Sequence, residues 1–356
     1  MRLDFIRPLY DRPGPFASVY LDTDRTAAPV VTVLPRRWAA LKERLIASGA
    51  PAAVLRPIEE HVLESVHGSP GLAIIAEGGE IVLCEPLPVP PRRETARWSP
   101  LPHVMPLLAQ RREEVPHLEV LADRTGGDVI VVAGGRRREL LIEEAAEGRI
   151  QKTGEGGWAQ YNLEREVEET WRRNAAAVAA AVDREAAAIG AELIVLAGDP
   201  KARALVADHL GKESKKRLTI AEHGSRAPGA ERCHFRAEVE RACAEWNARR
   251  KAELLEAYAA GPYATGLQET ARALRERRVQ TVLLRDEPSS TATVWIGPEP
   301  DQLSTDRSEL VVWGVADPVE DRADAALARA IAATNAELWF VDEIESPDGV
   351  AAVLRF

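Results

Sequence analysis

Apolar residues return every three or four positions from Val167 to Ile189, through Trp171, Ala175, Val178, Val182 and Ala186. That period puts them on one face of a long α-helix, and the stripe must be buried against another layer. The alanines from Ala175 to Ala191 fit the same reading, combining helix propensity with close packing. The opposing layer is legible just upstream. Between Val115 and Glu144, the turns Thr125-Gly126-Gly127-Asp128 and Gly134-Gly135 separate three apolar strands, which predicts an antiparallel meander. After the helix, Glu192–Gly198 reads as a buried strand and Lys201–Leu210 as a further helix.

The flanking segments are built from similar parts. Phe16–Asp22 alternates as a strand, Arg37–Ala47 and Val54–Ser65 read as helices, and Gly71–Leu87 reads as a hairpin turning at Glu77-Gly78-Gly79-Glu80. Prolines from Pro86 to Pro106 interrupt regular structure, with a short helix around Leu107 and Leu108 beyond them. A polar linker at His223-Gly224-Ser225 precedes a helix from Phe235 to Ala260. A helix over Thr265–Arg277 then leads to the strands VQTVLLR and ELVVWGVA, a helix over Ala323–Thr334, and the strands AELWFVDE and GVAAVLRF. At 356 residues the chain is longer than one ordinary core. Three domains are expected, at 1–112, 113–222 and 223–356, in an α/β (α+β) fold. The middle domain would hold a mixed sheet and the long helix, and the last would be an α/β sandwich.

A hydrophobic fraction of 46% and a charged fraction of 29% belong to a globular protein and exclude a disordered one. No apolar run is long enough to span a membrane and MRLDFIRPLY lacks a secretory core, so a cytoplasmic protein without membrane partners is expected. The formal charge of −10 argues against indiscriminate nucleic-acid binding, and no DNA partner is expected. Focused basic clusters survive, the most suggestive being Arg136, Arg137 and Arg138. Cys84, Cys233 and Cys243 are spaced for neither a disulfide framework nor a zinc site. His103 and His117 stand alone and read as surface or helix-end residues. No metal or other cofactor is expected.

Between the meander and the helix lies QKTGEGGWAQYN, Gln151–Asn162. Together, this stretch, the preceding Asp123-Arg124-Thr125-Gly126, the following LIVLAGDP, the segment YATGLQETARALRERRVQTVLLRDE and the closing GVAAVLRF resemble, in order, the archaeal and eukaryotic type of class-1 release factor and its Pelota and bacterial relatives. The resemblance covers about Val115 to Phe356. It implies a three-domain release-factor-like architecture and a Gly-Gly-Gln-type loop that reaches the ribosomal peptidyl transferase centre. Loop residues would be Gly154, Gly156, Gly157, Trp158 and Gln160, with Gln160 the one candidate catalytic residue. Paired glycines let a backbone pass close to RNA, and an amide N–H can stabilise developing negative charge.

Departures from the family shape the functional expectation. The first domain lacks the Asn-Ile-Lys-Ser and Tyr-Cys patterns that read stop codons, and the last lacks zinc-ligand cysteines. Trp158 and Ala159 separate the glycines from Gln160 by up to about 7 Å of extended chain. Resemblance to the actinobacterial Balon-like hibernation factors implies a ribosome-binding factor that occupies the vacant A site, touches rRNA and sits near elongation factor Tu. Arg136, Arg137, Arg138, Arg149, Lys152, Arg165 and Arg172 are candidate RNA contacts. Two alternatives stay open: a rescue peptidyl-tRNA hydrolase or tRNA-cleaving factor working through Gln160, and a stress-response scaffold that binds only proteins.

Overall fold

The computed structural model describes residues 1–23, 30–64, 68–111, 114–143, 157–227, 229–287 and 290–356, with backbone alone at 30–32, 64, 143 and 157–167. They form two packing units, Met1–Arg112 together with Glu253–Phe356, and Glu113–Ala252.

The first unit opens with a 3-10 helix, Asp4–Asp11, followed by β1 (Phe16–Asp22), α1 (Val30–Ala47), α2 (Ala52–Glu64), β2 (Gly71–Glu77), β3 (Glu80–Leu87), β4 (Thr95–Ser99) and α3 (Met105–Gln110). The strands make an antiparallel sheet in the order β3-β2-β1-β4. Alternation sends Ala17, Val19, Leu21, Leu72 and Ile74 to the face covered by Trp38, Leu41, Leu45 and Ile58 of α1 and α2. Tyr20 and Ala73 take the other face against Leu107 of α3. β4 forms inside the proline-rich stretch where the sequence predicts irregular structure. Its five residues contain no proline, and it lies at the sheet edge, where neighbouring prolines do no damage.

The second unit runs β5 (His117–Asp123), β6 (Gly126–Ala133), β7 (Arg136–Glu143), α4 (Gly157–Ile189), β8 (Leu193–Gly198), α5 (Pro200–His209), α6 (Lys212–Lys216), β9 (Leu218–Ile220) and α7 (Cys233–Ala260), the last continuing into the first unit. Sheet order is β7-β6-β5-β8-β9. β5, β6 and β7 form the expected antiparallel meander, and β8 and β9 run parallel to β5. Leu118, Val120, Ala122, Val129 and Val131 meet Ala175, Val178, Val182 and Ala186 of α4 on one face. Leu121, Val195 and Ala197 meet Phe235, Val239 and Ala242 of α7 on the other. The periodic stripe of Val178, Val182 and Ala186 is therefore the buried face of α4.

The first unit resumes with β10 (Tyr263–Thr265), α8 (Leu267–Arg275), β11 (Val279–Leu284), β12 (Thr293–Ile296), β13 (Leu303–Ser304), α9 (Arg307–Val312), β14 (Val319–Arg322), α10 (Ala323–Thr334), β15 (Glu337–Phe340) and β16 (Val350–Leu354). One sheet has the order β10-β16-β11-β15, and a small one β13-β12-β14. Leu3, Ile6, Leu9, Val104 and Leu108 share a core with Leu274, Ile331 and Leu338, so the two ends of the chain bury each other. Met1 donates to the Leu338 carbonyl, and the Leu101 amide donates to Asp321 at 2.9 Å.

Three expectations are corrected. ELVVWGVA is the helix α9 and its exit, because Asp306 caps the first turn by accepting from the Ser308 amide at 2.8 Å. Within α9 only Leu310 is buried, while Val311 and Val312 face solvent. The stretch Gln151–Asn162 is not wholly a loop, since α4 begins at Gly157 and takes Trp158 and Gln160 into its first turn. His103 and His117 are not surface residues: each is 8% exposed.

Candidate functional site

The second unit presents one long element from a small platform. α4 has 33 residues and a length of about 50 Å, whereas the eight residues of β6 span about 27 Å. Val178 sits over Gly127, the second residue of β6, and the helix then descends along the sheet through Val182 and Ala186. The helix from Val178 back to Gly157 therefore runs about 31 Å from that point. Gly127 is the seat: a Cβ there would stand 2.9 Å from one Val178 methyl and 3.0 Å from the other.

Where α4 passes the edge of the sheet it is clamped. Asn174 Nδ2 donates to the Arg124 carbonyl at 2.9 Å, and the Arg124 guanidinium lies 4.6 Å from the centre of the Trp171 ring. The same guanidinium is 3.6 Å from Asp199, whose other oxygen caps α5 by accepting from the Lys201 and Ala202 amides. Periodicity alone places Trp171 on the stripe and says nothing of its arginine. The Asp-Arg-Thr-Gly turn was the available signal.

Beside this clamp, at the carboxyl ends of parallel strands β5 and β8, lies a cleft of about 450 Å³ lined by Asp123, Gly198, Asp199, Gly224 and Arg226. Such crevices commonly bind ligands in α/β sheets. Here the charges are already matched. Arg226, 8% exposed at its side chain, donates to Asp128 at 2.8 Å and to Asp123 at 2.7 Å. Burial works to raise the Asp123 carboxyl, but Thr125 and Arg226 outweigh it and hold the group below its usual range. Thr125 and Gly126 amides also donate to Asp123. The cleft is a brace that fixes the β5–β6 turn to the segment before α7.

The arginine run on β7 does not make a single patch. Adjacent strand residues point to opposite faces. Arg137 pairs with Glu119 on the α7 side, Nη2 to oxygen 2.9 Å, and Arg138 pairs with Glu185 of α4 at 2.6 Å. Burial tends to raise the Glu119 carboxyl, yet His117 and Arg137 hold it below the ordinary value. Arg136 is exposed at the start of the strand, and Arg172 and Arg173 are exposed on α4 between the clamp residues Trp171 and Asn174. Gly157, Trp158, Gln160 and Arg165 are placed by their helical backbone on the overhanging part of α4. Arg149, Lys152, Gly154 and Gly156 lie outside the described residues.

The meander, the overhanging helix and the strand after it coincide with a unit known in other proteins. Residues 116–262 match the family model of bacterial archaeo-eukaryotic release factor family 2. That segment is similar to the bacterial branch of the release-factor families. Two proteins of Mycobacterium tuberculosis, MT2704 of strain CDC 1551 / Oshkosh and Rv2629 of strain H37Rv, are each 28% identical over 371 residues, covering 100% of this chain and 97% of the relative; both are described as uncharacterized. Among solved structures, the archaeal translation termination factor aRF1 aligns at 16% identity over 99% of this chain and 96% of its own, with a TM-score of 0.27. Dom34 of S. cerevisiae aligns at 10% identity over 87% and 78%, with a TM-score of 0.40. These two superpositions are too loose to carry a functional argument.

Among the described residues, no helix is long and apolar enough to cross a membrane.

Proposed function

We propose that this chain is a ribosome-binding translation factor that delivers the N-terminal end of α4 to ribosomal RNA in the vacant A site, protecting idle ribosomes without reading stop codons. The observation that carries the reading is the overhang of α4, seated on Gly127 and clamped at Arg124, within a domain matching the bacterial release-factor family. Beyond the clamp at Trp171 a stiff rod of about 21 Å runs to Gly157 and extends reach without the entropy of a long loop. Arg172 and Arg173 offer charge to phosphates near its base. tRNA and elongation factor Tu are the further partners in this proposal.

Occlusion is favoured over hydrolysis by the position of Gln160. Its backbone lies in the first turn of α4, and Trp158 and Ala159 stand between it and the paired glycines in the chain. A displacement of about 1 Å at a reacting centre can cost on the order of a hundredfold in rate.

The test is cosedimentation of the purified chain with vacant ribosomes over a salt series. Binding should weaken steeply as salt rises, and replacing Arg172 and Arg173 by alanine should flatten that slope by about one for each phosphate no longer neutralised. Absence of binding at low salt refutes the proposal. On ribosomes carrying labelled peptidyl-tRNA, no peptide release is expected; release that Gln160→Ala abolishes would establish hydrolysis instead.

A further inference from the structure

The connection from β9 to α7 ends in a group of metal-ligating side chains that the proposed ribosomal role does not use. Glu231, Cys233 and His234 offer a carboxylate oxygen, a sulfur and an imidazole nitrogen that all lie within 4.8 Å of one another. Cys233 Sγ faces Glu231 Oε2 at 3.9 Å. All three side chains are exposed, so an ion reaches them directly from solvent. From the other end of the connection comes His223, whose ring centre is 5.4 Å from that of His234 with the planes inclined at 37°.

His223 is oriented from behind. Glu238, on α7, holds His223 Nδ1 at 2.5 Å and accepts from the backbone amides of Glu222 at 2.7 Å and His223 at 3.1 Å. A carboxylate on Nδ1 keeps the proton there and leaves Nε2 as a lone-pair donor, the arrangement found behind metal-bound histidines.

We propose that Glu231, Cys233, His234 and His223 form a binding site for Zn²⁺ that ties the connection to the first turn of α7. One sulfur, two imidazoles and one carboxylate are a borderline-soft donor set, suited to zinc and unsuited to calcium or magnesium, which take oxygen. Two imidazoles on one tetrahedral zinc, with Zn–N about 2.0–2.1 Å, have ring centres about 5 Å apart, close to the separation already present. Cys233 is the first residue of α7, and zinc takes a cysteine as its thiolate. Four protein ligands fill the tetrahedron, so the site is structural and leaves no position for a catalytic water. Binding releases the thiol proton to solvent and changes no oxidation state.

The test uses the full chain, stripped of metal and kept reduced, titrated with Co²⁺. One equivalent should bind with tetrahedral visible absorption and a thiolate-to-cobalt charge-transfer band in the near ultraviolet, and one equivalent of Zn²⁺ should displace it. Cys233→Ser should abolish the charge-transfer band, while Cys84→Ser and Cys243→Ser should retain it. His223→Ala and His234→Ala should each weaken Zn²⁺ binding by at least about tenfold, the scale on which even a ligand's outer partner matters. Because the ligands are exposed, these variants should keep the wild-type circular dichroism. A band that survives Cys233→Ser, or zinc affinity unchanged by both histidine variants, overturns the proposal.

Discussion

Gly127→Ala tests whether α4 is a rigid rod seated on the sheet. The new Cβ would stand 2.9 and 3.0 Å from the two methyls of Val178, where carbons prefer about 3.5–4.0 Å. Valine in a helix has one strongly preferred rotamer, so the side chain cannot swing clear. The helix must lift by about 0.5–1 Å at this point. If it tilts about Ala186, some 12 Å further along, the end at Gly157, about 44 Å away, moves by about 2–4 Å. Overpacking of this kind costs about 1–3 kcal/mol. The restriction that alanine places on the unfolded chain returns about 0.4–1 kcal/mol. A net loss of about 1–2 kcal/mol is expected in the amide-exchange protection of β6 and the C-terminal half of α4. Val178→Ala alone should cost about 1–3 kcal/mol through its cavity. In the double variant the added methyl occupies the space vacated, and the two losses should fall short of their sum by about 1 kcal/mol or more. Strictly additive losses, or a Gly127→Ala variant within about 0.5 kcal/mol of wild type, would refute the seating argument.

Two further outcomes follow from buried charge. Arg226→Met leaves Asp128, 5% exposed, with only Arg232 at 3.5 Å, and the β5–β6 turn should lose about 3–5 kcal/mol of local protection; a loss below about 1 kcal/mol would show that the pair is replaceable. His103 is pushed down to about 4, chiefly by burial, with Asp324 opposing and Arg322 and Arg97 reinforcing the shift. Its unfolded value is near 6.5, so the unfolded chain takes the proton first as pH falls. Stability from this group is full above about 6.5 and is lost progressively down to about 4, reaching a loss of about 2 kcal/mol at pH 5. Urea unfolding at pH 7 and pH 5 should show this difference in the wild type and not in His103→Gln; equal pH dependence in both would remove His103 as the cause.

Much of the scaffold was legible in the sequence because it is written in short-range patterns. The three- and four-residue period of α4, the two glycine turns of the meander and the continuous apolar run of β8 depend on residues a few positions apart, and the backbone obeys them. Arg137 and Arg138 fall on opposite faces for an equally local reason, the two-residue alternation of the strand. ELVVWGVA misled because its apolar run is strand-like, while the cap that makes it a helix lies just before it, at Asp306.

What only the tertiary structure decided lies between residues far apart in the chain. Arg226 reaches Asp123 and Asp128 across 103 and 98 positions, and Leu3, Ile6 and Leu9 are buried beside Leu274 and Ile331. Glu231, Cys233 and His234 are neighbours in the chain, and what folding added is His223, whose ring it brings 5.4 Å from that of His234. Periodicity tells a segment which face to hide; which partner hides it is settled by burial and charge pairing in three dimensions, where sequence distance has no weight.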